Sequence, residues 1–186
     1  SNKVAELIQN MHFDDRTALL SELTSESVKK LVLFLPHEDR LETLALLGYP
    51  EDSVGRLMNP DYIEVKDHFT VQDALNKIRK LGRTIENINF IYIVDENEKL
   101  IDDINLKEIL IASPETIIGS IMDRKYLALH VNDDQETATS IFRKNNRAVL
   151  PVIDDGGILL GIVTIDDILR VESEEATEDI QKIGGT

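Results

Sequence analysis

Cysteine is absent from the 186-residue sequence, which excludes disulfides, thiolate metal sites and cysteine nucleophiles and fits a reducing cytoplasm. Zinc is therefore not expected as a ligand. Aromatic residues are few, at 5%, and are spread along the chain instead of forming a binding stripe. Long apolar runs are also missing, since 31–35 and 158–165 fall far short of the roughly 20 residues that cross a bilayer.

Positive charge is scarce, because 20 lysine and arginine residues stand against 35 aspartate and glutamate residues. The net charge of -15 would repel a phosphate backbone and an anionic membrane surface, which argues against nucleic acid as a partner. Cations are the partners that such a surface favours. With 42% hydrophobic residues, the chain can still bury the core of one or two domains.

Residues that could catalyse a reaction do not form a recognisable motif. No serine stands in a nucleophile-elbow context, and the histidines lie in separate segments without the spacing of a metal or catalytic pair. These histidines are His12, His37, His68 and His130. We therefore expect a chain that is not an enzyme.

The first 53 residues carry apolar side chains at helical spacing, interrupted by short polar segments. Residues 11–16 resemble residues 35–40, and the leucines that follow each segment also match. Such an internal echo is typical of a helical repeat. We expect stacked helical hairpins in this part of the chain.

A stronger repeat begins at Val54. The paired segments are 54–59 and 118–123, 71–80 and 135–144, 92–95 and 151–154, and 100–110 and 159–169. Each copy has the pattern of strand, helix, strand, tight acidic turn, strand and helix, with Asn105 and Thr164 at the positions of helix N-caps. The copies therefore predict two α/β units, each with a small sheet.

The predicted fold class is accordingly an α/β pair preceded by an all-α helical-repeat domain. The expected boundaries are 1–53 for the helical domain, 54–113 and 114–171 for the two units, and 172–186 for an acidic connecting helix.

The segment 166–179 is strongly acidic, because it contains seven carboxylates and only one basic residue, Arg170. Its sequence predicts one helix with a break. Two carboxylates at about 4 Å repel by roughly 4 kcal/mol at an effective dielectric near 20, and a divalent cation between them reverses the sign. Mg²⁺ suits such a surface, because it prefers oxygen ligands, keeps several waters and needs only one or two carboxylates. A solvated helix face is the alternative interpretation.

The repeated unit, with Met-Asn or Met-Asp after its start and the segment 161–167, resembles a tandem pair of CBS domains. The whole chain resembles the MgtE family of magnesium channels through three features outside this unit: the helical repeats before it, the junction 48–58 and the tail 174–180. The tail is the most specific of the three. The resemblance implies that the helical domain is truncated and that 172–186 leads to a transmembrane domain outside the printed sequence. We expect an excised fragment.

The resemblance implies a cytosolic Mg²⁺ sensor, in which Mg²⁺ bound between the helical domain, the CBS domains and a dimer mate favours a closed pore. It implies a homodimer through the CBS domains, and a cytoplasmic region of a bacterial inner-membrane protein that is soluble as a fragment. The implied metal ligands are Asp14, Asp134, Glu136, Asp167, Glu175, Glu178 and Asp179. Asn146 and Arg170 stand where the family has carboxylates, so ion sites that use those positions are expected to be lost.

Some of these residues have structural alternatives. Glu175, Glu178 and Asp179 share one side of a helix by their i, i+3 and i+4 spacing, as a shared ion site requires. Asp134 can equally be a helix N-cap, and Glu136 can be a first-turn partner of the helix dipole.

Gly161, Thr164 and Asp167 also match the CBS nucleotide motif, in which glycine allows close approach, threonine and the helix N-terminus meet phosphate, and aspartate binds ribose. ATP or another adenine nucleotide is therefore a second expected ligand. A plain Thr N-cap with Asp in the first turn explains the same residues. Since Asp102 replaces the glycine in the first unit, no adenosine pocket is expected there.

Two other functions fit the sequence. The chain could be an adenine-nucleotide-sensing CBS module that regulates another transporter or enzyme, or it could be an acidic interaction scaffold. Protection of the purified chain by Mg²⁺, by ATP or by neither would separate the three.

Overall fold

A computed structural model describes residues 2–45 and 47–185; the side chains at positions 2, 4, 5, 9, 13, 37, 38, 42 and 175 are not described. The N-terminal part consists of α1 (Asn2–Gln9), α2 (Phe13–Glu22), α3 (Ser25–Phe34) and α4 (His37–Ala45). Thr24 begins α3 as its N-cap, because its side chain accepts a hydrogen bond from the Ser27 amide. The predicted all-α domain is confirmed.

The first repeated unit forms a three-stranded sheet in the order β1, β2, β3. Its elements are β1 (Glu64–Lys66), α5 (Val71–Leu81), β2 (Phe90–Val94), β3 (Leu100–Asn105) and α6 (Leu106–Ile111). The α5 crossover makes β1 parallel to β2, whereas the tight turn makes β3 antiparallel to β2. Asn105 caps α6 as predicted, accepting from the Lys107 amide.

The second unit repeats this topology with a sheet in the order β4, β5, β6. Its elements are α7 (Ile118–Ile121), β4 (Leu129–His130), α8 (Gln135–Asn145), β5 (Val149–Ile153), β6 (Leu159–Thr164) and α9 (Ile165–Gly184). Thr164 caps α9 as predicted. The predicted α/β pair after the helical domain is therefore confirmed.

Helix α9 runs for 20 residues, so the break expected in the acidic helix is wrong. No proline lies within it and its single glycine, Gly184, is its last residue, so its backbone hydrogen bonds continue without a gap. Like charges on an exposed face weaken a helix by only a few tenths of a kcal/mol for each pair. In the described part of the chain, no helix combines the length and hydropathy that a membrane span requires.

The two sheets face one another across an apolar layer that includes Tyr62, Tyr92, Val149 and Ile162. The rings of Tyr62 and Tyr92 meet edge to face, with their centroids 5.9 Å apart. The turns of the two units also touch, because the Leu100 amide donates to the carbonyl of Gly157 and the Leu159 amide to that of Glu98. The pair is thus joined by its strands and turns together.

The helical domain packs mainly on the second unit. Leu20, Val28, Val32 and Leu44 share one buried cluster with second-unit side chains such as Phe142. Burial of apolar area therefore holds α2, α3 and α4 against β4, α8 and β6. Helix α3 also reaches the first unit, through a charged contact described below.

Candidate functional site

An acidic groove lies where the segment after α4 meets the start of α8 and the middle of α9. The cavity has a volume of about 550 Å³. Its residues are Asp52, Asp134, Gln135, Glu136, Thr139, Ile168, Val171 and Glu172. Four of these carry carboxylates, and they come from three separate parts of the chain. Asp134 and Glu136 were predicted from the sequence, whereas Asp52 and Glu172 were not.

Asp134 is the N-cap of α8. One carboxylate oxygen accepts a hydrogen bond from the Thr137 amide at 2.6 Å, and this bond holds the pKa of Asp134 below its usual value. The structural alternative for Asp134 is therefore confirmed. The Thr137 amide binds Oδ1, so the other carboxylate oxygen can still be presented to the groove.

The other walls of the groove are fixed by short contacts. The Gln135 amide donates to the Asp52 carbonyl at 3.0 Å, which holds the segment after α4 against the start of α8. Arg143 on α8 donates to Glu172 on α9 at 3.2 Å. The groove therefore connects the end of the helical domain with α8 and α9.

The predicted ligands near the two ends of α9 have different surroundings. Asp167 contacts the Thr164 hydroxyl at 2.9 Å and Arg170 at 2.6 Å, one with each carboxylate oxygen. Glu178 and Asp179 are exposed one and a half turns before the end of the helix. Glu175 lies on the same helix, but its side chain is outside the described residues.

Asp14 is exposed in the first turn of α2. Among the side chains that the structure describes, which exclude those of His37, Glu38, Glu42 and Glu175, no three histidine, aspartate or glutamate residues converge as a ready-made metal cluster. The structure thus brings Asp134 and Glu136 to one groove, but leaves Asp14, Asp167 and the pair Glu178 and Asp179 on other surfaces.

Asn146 and Arg170, the two positions where the resemblance implies a carboxylate in the family, have roles that the structure shows. Asn146 follows α8 in the left-handed conformation with φ of 49°, which asparagine adopts more readily than most residues. Arg170 neutralises Asp167 through the contact described above.

In the second unit, Gly161 and Thr164 of the nucleotide motif have structural roles. A Cβ on Gly161 would lie 2.9 Å from the Asn59 carbonyl oxygen and 3.0 Å from Met58 Cβ. The Asn59 amide also donates to the Ile162 carbonyl at 2.7 Å. Only glycine fits at position 161 without moving Met58 or the Asn59 carbonyl. Thr164 is the N-cap of α9, because its side chain accepts a hydrogen bond from the Asp167 amide.

A larger cavity, of about 600 Å³, lies beside β3 and α6 of the first unit, where the sequence did not predict an adenosine pocket, and the start of the second unit closes one side of it with Ile121, Asp123 and Lys125. Its polar lining residues are Asp102, Asp103, Asn105, Glu108, Asp123 and Lys125. At one side the Arg147 guanidinium lies 4.1 Å from the centre of the Phe90 ring.

Asp103 links this cavity to Arg147, whose guanidinium donates to its carboxylate at 2.8 Å. Burial raises the pKa of Asp103 although the Arg147 guanidinium acts in the opposite direction. With four carboxylates and one lysine, the lining favours hydroxyl groups over phosphates.

Sequence reasoning missed a buried charged network between α3 and the first unit. Lys29 lies 2.8 Å from Glu64 and 3.0 Å from Glu98, and Lys66 lies 2.9 Å from Glu98. We call Lys29, Lys66, Glu64 and Glu98 the lysine–glutamate network. The only signal in the sequence is a lysine between the apolar residues of an amphipathic helix.

Comparison with known proteins agrees with this architecture. Residues 54–115 and 118–174 match the CBS domain family, and residues 1–52 match the MgtE intracellular N domain. The chain belongs to the MgtE family of CBS proteins. This confirms the resemblance inferred from the repeated unit, the junction and the acidic tail.

Curated MgtE proteins align along most of this chain. The magnesium transporter MgtE of Thermus thermophilus is 38% identical over 156 residues, which are 84% of this chain and 35% of that protein. The magnesium transporter MgtE of Bacillus subtilis is 28% identical over 184 residues, 99% of this chain and 41% of that protein. The chain thus spans well under half the length of these MgtE relatives.

Solved MgtE structures have the same fold. The soluble part of a magnesium transporter superposes with a TM-score of 0.66 at 25% identity, covering 95% of this chain and 73% of that one. The cytosolic domain of the Mg²⁺ channel MgtE in complex with ATP gives 0.68 at 30% identity, covering 91% of this chain and 75% of that one.

Proposed function

We propose that this chain is the cytosolic Mg²⁺-sensing regulatory region of a magnesium channel or transporter, and that bound Mg²⁺ favours a closed pore. The observation that carries the proposal is the acidic groove, in which Asp52, Asp134, Glu136 and Glu172 face one cavity from three segments. The relatives named magnesium transporters support it.

The groove has the chemistry of a weak, hydrated Mg²⁺ site. Mg²⁺ loses water reluctantly and is held by one or two carboxylates with its remaining waters in place. A site of this kind needs no dense cluster of side chains. Since carboxylates that line one cavity repel one another, a divalent cation among them would draw the segment after α4, α8 and α9 together.

Several weakly bound Mg²⁺ ions together would shift the equilibrium toward the state that closes the pore. Moving a population from 1:99 to 99:1 takes about 5.5 kcal/mol, more than one such ion supplies. The exposed residues Glu178 and Asp179 on α9 can take further ions, together with Glu175 and with acids of a second copy. Asp14 and Asp167 complete the proposed set, with Asp167 already partly neutralised by Arg170.

The partners in this proposal are a pore domain covalently attached after α9 and a second copy of the chain. Exposed apolar side chains on α6 and α9, including Leu110, Ile111 and Leu169, support an association through the CBS domains. The region would lie in the cytoplasm and carry no catalytic reaction of its own.

Limited proteolysis during a Mg²⁺ titration tests the proposal. We expect Mg²⁺ to protect 46–53 and α9 from cleavage, and the double variant Asp134→Asn with Glu136→Gln to lose most of this protection. Asparagine is as good an N-cap as aspartate, so the variant removes charge and keeps α8 capped.

The matched control is Glu22→Gln with Glu86→Gln, which removes the same charge from exposed residues outside the groove. The control should remain protected. Equal protection of both double variants, or no protection of the unmodified chain, would contradict a Mg²⁺ site in the groove.

An adenine-nucleotide sensor is the second candidate, favoured by the MgtE relative solved in complex with ATP. The acidic lining of the first-unit cavity suits the ribose hydroxyls of such a ligand and not its phosphates. Titration with ATP in place of Mg²⁺ distinguishes it. Protection by ATP alone would replace the Mg²⁺ proposal with this one, and protection by neither would leave an acidic interaction scaffold.

A further inference from the structure

A third cavity, of about 580 Å³, lies where the helical domain meets the first CBS unit. Side chains of both parts line it. Leu33 on α3 forms an apolar wall on one side, and Leu81 and Ile85, at the end of α5 and just after it, form another. Sites for small molecules typically have volumes of roughly 300–1,000 Å³, apolar walls and a few polar groups. The size and lining of this cavity therefore suit a small organic ligand.

Three of the four charged residues that line the cavity have partners of opposite charge. Arg40 donates to Asp61 at 3.1 Å. Glu64 belongs to the lysine–glutamate network, in which Lys29 lies 2.8 Å from it. The fourth charge is the ammonium group of Lys77 on α5, which forms no salt bridge with any carboxylate that the structure describes. One positive charge in the cavity is thus left without a counter-ion.

The ammonium group of Lys77 does not extend into the solvent. Lysine often lays its carbon chain along an apolar surface and keeps its ammonium group in water. Here Nζ instead donates to the carbonyl of Glu64, a residue that is only 8% exposed. Burial lowers the pKa of Lys77, although the carboxylates of Glu64 and Glu98 oppose this effect. A partly buried cation without a counter-ion is unfavourable, and a bound anion would remove this cost.

The repeated sequence indicates that the fold itself does not need a lysine at this position. Helices α5 and α8 are equivalent in the two units, and position 77 aligns with Ile141. The Ile141 side chain packs against the buried core that includes Phe142. An apolar residue therefore satisfies the packing of this helix, so the charge of Lys77 in the first unit points to a ligand.

We propose that the cavity binds an organic monocarboxylate with an apolar body, whose carboxylate pairs with Lys77. One unpaired cation requires one negative charge, and the apolar walls favour an organic anion over an inorganic one. Because α3 and α4 line the cavity together with α5, the ligand would contact the helical domain and the first unit at once. This inference goes beyond the proposed Mg²⁺ sensor, since it adds a second ligand at a separate site.

Octanoate is the probe that combines one carboxylate with an apolar chain. Isothermal titration calorimetry of the whole chain in millimolar Mg²⁺ should show one octanoate bound per chain. Acetate has the charge without the apolar body, and octylamine has the body with the opposite charge. Both should bind at least about tenfold more weakly than octanoate.

Two substitutions test the cavity in different ways. Lys77→Met removes the charge and should weaken octanoate binding by at least about tenfold, because a charge-assisted hydrogen bond is lost. Thr84→Trp places a large ring at the cavity without changing the charge, and should also weaken binding. Lys80→Met is the matched control, since Lys80 is exposed in the last turn of the same helix and does not line the cavity. It should bind octanoate like the parent.

Equal octanoate affinity of Lys77→Met and Lys80→Met would overturn the proposal, as would tight binding of octylamine or no binding of octanoate to the parent. Circular dichroism checks that each variant is folded, and Thr84→Trp decides the matter if Lys77→Met does not fold. Unchanged octanoate affinity in Thr84→Trp would mean that the ligand binds elsewhere. Octanoate binding and protection by Mg²⁺ are separate readouts, so this inference and the proposed function can fail independently.

Discussion

Replacing the buried Lys29 with methionine should be one of the most destabilising single substitutions in α3. Methionine keeps the length and helix propensity of lysine but removes its charge. Glu64 and Glu98, each 8% exposed, would be left facing each other without the ammonium group. Removing one partner of a buried ion pair typically costs about 3–5 kcal/mol.

The comparison variant Lys30→Met sets the scale. Its side chain is 50% exposed, and surface pairs contribute roughly 0–1 kcal/mol. For a chain of this size, 1 kcal/mol shifts the melting temperature by about 2–4 °C. We therefore expect Lys29→Met to melt at least about 6 °C below the parent.

Urea denaturation in EDTA, followed by circular dichroism and tyrosine fluorescence, measures the difference. Tryptophan is absent, and the ring of Tyr62 lies 6.0 Å from Lys29 Nζ, so tyrosine emission reports on this contact. Adding Glu98→Gln to Lys29→Met removes one of the two repelling charges and should recover part of the loss. Equal stability of Lys29→Met and Lys30→Met would refute the reasoning.

Three further expectations follow from other contacts. Gly161→Ala should cost about 1–3 kcal/mol in a thermal melt, because the added Cβ meets Met58 and the backbone beside it; an unchanged melting temperature would contradict this packing. Burial raises the pKa of Glu98, but the two lysines beside it outweigh burial and hold that pKa below its usual value. The stability from this group is therefore present above the unfolded-state pKa of about 4.3 and is lost as pH falls through the lower folded-state pKa, a loss that urea titrations at acidic pH should show and that Glu98→Gln should lack. Thr164→Ala should cost about 1 kcal/mol through its lost cap on Asp167 and leave ATP binding unchanged in calorimetry; weaker ATP binding would instead restore the nucleotide role of the motif.

The fold was largely predictable because the sequence signals that specify it are short-range and occur twice. The copies starting at Val54 share turn residues, apolar periods and helix caps, and these features specify the same topology twice. Asn105 and Thr164 could be predicted as caps from their position after a strand. The expected break in α9 is wrong, because residues 165–183 contain neither proline nor glycine to interrupt the helix.

The candidate site was less predictable because its members are distant in sequence. Asp134 and Glu136 open one helix, but nothing local indicates that Asp52 and Glu172 face the same cavity. The partners of Lys29 depend on how the helical domain packs on the CBS pair. The spacing of apolar residues predicts which face of α3 is buried. It does not predict that Lys29 on this face contacts the carboxylates of Glu64 and Glu98.

The uninterrupted helix α9 extends far beyond the sheet of the second unit, so a small tilt at its start displaces its end by several ångströms. Its 20 residues extend about 30 Å from the cap at Thr164, at 1.5 Å for each residue. Tilting the base by about 10° would swing Gly184 through roughly 5 Å. A small rotation of α9 at the sheet would thus move the C-terminal end of the helix by about one helical turn, or 5.4 Å.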